Sequence, residues 1–151
     1  MTMRLAKAAL AAVLGATLIL PRVHAETRIQ SDINYRKDLM LAMDWNLVRI
    51  AQMVRHQLPY SRARLMREGS ALQALSTLPW VAFVPGSDRG QTKAKPRIWQ
   101  QPIPFRAAIR HFEAQVQALN VAAQSGNLAQ IARPLQGTAE SCKSCHHHFM
   151  K

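Results

Sequence analysis

The chain has 151 residues, 48% of them hydrophobic, and 20 lysines and arginines against eight aspartates and glutamates give a formal net charge of +12. The cations are scattered and only 6% of residues are aromatic, which argues against nucleic acid and leaves acidic partner proteins as what such a charge would steer. The length suits one domain with one sizeable core.

Residues 1–25 read as a secretory leader. Arg4 and Lys7 precede an uncharged run from Ala8 to Leu20, and Val23-His24-Ala25 has the form of a cleavage site. The run is too short to span a bilayer, and no later segment approaches the roughly 20 apolar residues a span needs. The expectation is export to the periplasm, cleavage near Ala25 and a mature domain over 26–151 with no membrane span. Loss of Arg4, Lys7 and Arg22 lowers the net charge to +9.

The first periodic segment runs from about Ser31 or Asp32, both plausible caps, to about His56. One stripe carries Ile33, Arg36, Met40, Met43, Leu47, Ile50 and Val54, alternating steps of three and four. Leu58-Pro59 ends it, and a shorter segment from about Ser61 to Thr77 sets Leu65, Leu72 and Leu75 on one face. Residues 79–104 hold five of the eight prolines, with Trp80, Phe83, Ile98 and Trp99 spread among them, so an ordered loop pinned by aromatics is expected. A third segment, about Phe105 to Gln124, presents Phe105, Ile109, Phe112, Val116, Leu119 and Ala123, and Gly126-Asn127 stops it. The fourth, from Asn127, aligns Ile131, Leu135, Thr138, Cys142, Cys145 and Phe149. Pro134 inside it lacks an amide hydrogen and is expected to kink or split the helix. Strand signals are absent. Four amphipathic segments joined by two short links and one long one predict an all-α fold, an antiparallel four-helix bundle.

"CKSCH", residues 142–146, has the C-x-x-C-H form of c-type haem attachment. On a helix, positions i and i+3 share a face, so two thiols there can reach two vinyl groups on one porphyrin edge. His146, four residues after Cys142, projects toward the iron over the same turn. A disulfide closing so short a loop constrains little and fits helix geometry badly. A thiol redox pair belongs near a strand. Zinc would need adjacent histidines, which point about 100° apart on a helix, to converge. One covalent haem c near the C-terminus is the reading, with His147 and His148 solvated or near its edge.

A bundle with that motif at its C-terminal end resembles the cytochrome c′ family, and "YRKDLM", "LPWVAFVPGSDRG", "KPRIW" and "SCKSCHHHF" resemble its landmarks in order and spacing. The resemblance implies Cys142 and Cys145 as thioether cysteines and His146 as proximal iron ligand. It implies Arg36 near the haem propionates, and Lys37, Ser87 and Asp88 around the haem. An arginine on an apolar stripe agrees with this, since a buried guanidinium calls for an anionic partner. Met40, one turn past Arg36, matches the position facing the distal side of the iron. Methionine there characterises the low-spin, c-556-type branch, in which the soft thioether closes the iron and raises its potential; noncoordinating residues there leave room for gases. The family's basic residue after the motif's aromatic is replaced by Met150.

The expectation is a periplasmic monohaem electron carrier with His/Met ligation, not an enzyme, served by acidic redox partners. The alternative is a five-coordinate protein that binds nitric oxide or carbon monoxide. A homodimer through the first two helices is implied by the resemblance.

Overall fold

The computed structural model describes residues 20–151, with side chains from Arg28 onward. The leader expected at 1–25 lies outside the described residues except for the backbone of 20–25. In chain order the elements are α1 (Leu20–Val54), α2 (Arg62–Ser76), a 3-10 turn (Pro79–Ala82), the single-turn α3 (Arg97–Gln100), α4 (Pro102–Ser125) and α5 (Leu128–Phe149). The fold is an all-helical bundle: α1 packs on α2, α2 on α4, α4 on α5, and α5 closes the ring on α1. The one β contact among the described residues is an antiparallel bridge between Ala94 and Met150.

Helix ends follow local chemistry. Ser61 caps α2, its hydroxyl accepting from the Arg64 amide at 3.3 Å, and Asn127 caps α5 through the Ala129 amide at 3.0 Å. Gly126 takes the left-handed conformation, φ 72°, that closes α4. His56, at φ 59°, does the same after α1, with His56 N on Met53 O and Gln57 N on Gln52 O.

Three sequence expectations need correction. Ser31 and Asp32 do not cap α1, which runs through them; Gln30 donates to Asn34 across that turn at 2.9 Å, so nothing local stops the helix. The third long helix begins at Pro102 rather than Phe105, because prolines in a first turn lack only amides that have no helical partner there. Pro134 does not split α5, which is continuous from Leu128 to Phe149. Gln130, whose carbonyl loses its partner, is exposed to water, while buried Ile131 and Thr138 anchor the helix on either side. The Thr138 hydroxyl donates to the Pro134 carbonyl at 2.9 Å.

The core has two parts. The larger contains Met43, Ile50, Met53, Leu65, Leu72, Phe112, Val116, Leu119, Ala123 and Ile131, with Met40 and Cys142 packed on its edge. The smaller holds Ala94, Ile98, Phe105 and Phe149, with Cys145 against it. Helices α2 and α4 approach closely at Gly69: an added Cβ would lie 2.8 Å from that of Ala123.

The long connection is ordered by aromatics, as expected. Trp80 and Phe83 stack at 6.1 Å, Phe83 meets Phe105 edge-on at 5.0 Å, and Phe105 meets Phe149 at 5.2 Å. The Trp99 indole donates to the Phe83 carbonyl at 3.0 Å.

Candidate functional site

Cys142 and Cys145 lie one turn apart on α5, both half-buried and both free thiols. Cys142 sits against the larger core part and Cys145 against the smaller, so the pair marks the seam between two apolar clusters. Burial, with smaller additions from Cys145 and Asp44, pushes the Cys142 thiol up to about 11, and burial raises Cys145 as well. The thiols are therefore neutral at ordinary pH, unlike those of a thiol oxidoreductase, which needs the thiolate.

His146 is exposed, and its ring makes no hydrogen bond among the described residues. His147 and His148 are exposed too, and His148 Nδ1 lies 2.8 Å from the Ser144 carbonyl. No group of three or more metal-binding side chains occurs among the described residues, so a zinc clip finds no ligand set there.

The last turn of α5 is secured from outside. The helix's own C-cap, Met150 N, donates to His146 O at 2.9 Å, and from outside the Lys95 ammonium donates to His147 O at 3.1 Å and Lys95 N to Phe149 O at 2.9 Å. Terminal helix carbonyls ordinarily lack partners; here most of them have one. Lys151 N completes the bridge on Lys93 O at 2.7 Å.

Arg36 is buried, 3% exposed, and grips the long connection. Its Nη1 donates to Ala82 O at 3.0 Å and Ser87 Oγ at 2.6 Å, and its Nη2 to Ser87 O at 2.5 Å and Thr92 Oγ1 at 2.8 Å. The guanidinium carbon stands 4.5 Å from the Phe83 ring centroid. Burial draws its pKa below the usual guanidinium value, and Asp32 opposes that shift. Every hydrogen-bond partner of the guanidinium among the described residues is a neutral oxygen, so none of them neutralises its charge. The structure thus brings Arg36 and Ser87 together. Lys37 is exposed, its ammonium 3.5 Å from Gln91 O, and Asp88 is half-buried. Thr92, Ala82 and Phe83 were missed by sequence reasoning, because two act through backbone geometry or a ring face and Thr92 has no motif to flag it.

Residues 31–150 match the family model described as Cytochrome C′. The chain belongs to the cytochrome c′ family. It is 37% identical over 119 residues to a cytochrome c′ of Rubrivivax gelatinosus, covering 78% of this chain and 92% of that one. The crystal structure of the Rubrivivax gelatinosus cytochrome c′ superposes with a TM-score of 0.76 at 33% identity, over 80% of this chain and 94% of that one. A nitric oxide complex of a cytochrome c prime variant from Alcaligenes xylosoxidans gives a TM-score of 0.76 at 30% identity, over 82% and 96%.

Cytochromes c′ carry one covalent haem c. The donor set here fits it: two unpaired thiols one helical turn apart, flanked by apolar clusters that suit a porphyrin, and a histidine in the following turn with nothing else holding its ring. Cys142 and Cys145 would form the thioethers and His146 would ligate the iron. Met40 is half-buried and packs on the same core part as Cys142.

Proposed function

We propose that this protein is a periplasmic cytochrome c′ whose haem, held by Cys142 and Cys145 and ligated by His146, accepts nitric oxide or carbon monoxide on the side lined by Met40. The observation that carries this reading is the match over nearly the whole described chain to cytochromes c′, one of them known as a nitric oxide complex. When bound, the haem supplies a ferrous iron able to take a neutral diatomic ligand. The chain's own part is to hold the ring rigidly, keep charge and water away from the distal side with Met40 and the adjoining core, and seat the axial histidine. Reversible binding and electron exchange, not substrate turnover, follow from such a site.

A second reading, low-spin electron transfer with Met40 as sixth ligand, is favoured by one observation: the Met40 thioether packs against the same apolar cluster as Cys142. A ferrous visible spectrum with and without carbon monoxide separates the two. A broad high-spin spectrum that shifts on adding the gas supports the first. Sharp α and β bands indifferent to the gas would overturn it, and Met40→Ala should then convert that spectrum to the first kind.

Pairing of two copies through α1 and α2 belongs to the same proposal. Leu41, Trp45 and Val48 lie four and three residues apart on one face of α1 and are 68%, 63% and 43% exposed. Sedimentation of Trp45→Glu against the parent chain tests it; an unchanged molecular mass would rule that face out.

A further inference from the structure

The ordered loop and the end of α5 together build a cationic surface beside the haem motif. Residues 89–112 contain Arg89, Lys93, Lys95, Arg97, Arg106 and Arg110 and no aspartate or glutamate. The antiparallel bridge fixes part of this run in space. Ala94 is buried against Phe149 and Ile98, while Lys93 beside it is exposed and Lys95 is half-buried. Lys95 is tied to α5 by its own ammonium on His147 O. The same bridge sets Lys151 opposite Lys93, and like charges facing each other repel. Among the described residues, ion pairs form only around Glu68, with Arg49 and Arg67; none involves this surface. Ile103, 71% exposed, lies inside this run and Val81, 77% exposed, precedes it, but none of the exposed large hydrophobic residues falls within 84–102 or 128–151. The cationic residues around the bridge therefore have no apolar wedge among them of the kind that holds a protein in a lipid interface.

We infer that the surface formed by Lys93, Lys95, Lys151 and the adjoining Arg97 is the docking site for an acidic redox protein, which exchanges one electron with the haem attached at Cys142 and Cys145. The inference rests on haem attachment and holds for either state of the distal side. Its charge attracts an anionic surface at long range and raises the encounter rate. Its attachment to the turn bearing His146 brings the partner close to the iron. The exchange balances as a single electron: the partner's centre is oxidised as the haem iron is reduced, or the reverse, with no group transferred.

The test uses the haem-loaded protein with poly-L-glutamate as the acidic probe and ferricyanide as an anionic one-electron oxidant. Soret absorbance first establishes that haem is attached; its absence would sink the haem reading and is scored separately. In an NMR titration, poly-L-glutamate should shift amides concentrated in 89–97 and 147–151. The Lys93→Glu/Arg97→Glu variant, which leaves the capping Lys95 in place, should weaken that binding and slow ferricyanide oxidation by tenfold or more at low salt. Arg62→Glu/Arg133→Glu is the control. Arg62 lies beside Gly126, at the other end of the 22-residue α5, about 33 Å away; this control should change either quantity less than twofold. Equal losses in the two variants, or shifts spread over the molecule, would mean a diffuse charge effect and overturn the site. Sedimentation with phosphatidylglycerol vesicles under conditions where poly-L-glutamate gives no shifts would overturn it in favour of a lipid surface.

Discussion

Replacing Arg36 by alanine removes four hydrogen bonds, but the cost is set by what remains unsatisfied. Ser87 Oγ still donates to Val84 O at 2.8 Å, and Thr92 Oγ1 still accepts from Ala94 N at 3.1 Å. The orphans are the carbonyls of Ala82 and Ser87, residues 2% and 0% exposed. Each buried orphan costs about 1–3 kcal/mol, and the lost contact with Phe83 adds about 0.5–2 kcal/mol. Relief of the guanidinium's own desolvation offsets part, so Arg36→Ala should destabilise by about 3 kcal/mol. Arg36→Lys, which can reach one orphan but not both, should lose about half as much. Urea unfolding measures the total. Native-state hydrogen exchange locates it: the amides of Ser87 and Arg89, which bond to Val84 O and Gly86 O, should lose protection while those in α5 keep theirs. A loss below about 1 kcal/mol with unchanged loop exchange would show that Arg36 does not hold the connection.

Gly69→Ala should destabilise by about 1–3 kcal/mol on thermal melting, although alanine is the better helix former, because the new methyl meets Ala123 and Asn120 at 2.8 and 3.0 Å; a raised melting temperature would contradict the packing. In the haem-free chain, the raised Cys142 pKa means that near neutral pH iodoacetamide should react about a hundredfold more slowly than with a free cysteine. The folded chain there keeps a proton that the unfolded chain releases above its ordinary thiol range. Its stability is therefore full below about pH 9 and falls by roughly 2–3 kcal/mol as pH rises to about 11; a flat pH profile in urea titrations would refute this. Cys142→Ala or Cys145→Ala should leave haem held by one thioether, detected as a shifted pyridine haemochrome band, and the double variant should release haem to acidified solvent.

The helices were legible because burial imposes a 3.6-residue period: Ile33, Met43 and Ile50 are all buried, as are Ile131, Thr138 and Phe149. Met53, fully buried off the expected stripe, was not legible, because α1 faces α2 and α5 at once and needs a wider apolar arc than one stripe. Capping at Ser61, Gly126 and Asn127 was readable from residue type alone. The start of α1 was not, since Ser31 could cap but has no need to where the chain upstream is already helical. The motif singles out Cys142, Cys145 and His146 by spacing alone, and all three lie on α5. What satisfies Arg36 depends on a loop that returns from about fifty residues further on, and no local pattern records that.

The external stitching of the last turn of α5 has a mechanical consequence. A free helix end frays within nanoseconds to microseconds, and an axial ligand placed there would swing with it. With Lys95 bonded through both its backbone and its ammonium to α5, and Lys151 returning the bridge to Lys93, the terminal turn behaves as an interior one. His146 is then mounted on a fixed support, so an iron ligated there, as proposed, would change oxidation state or ligand with little rearrangement of the protein around it.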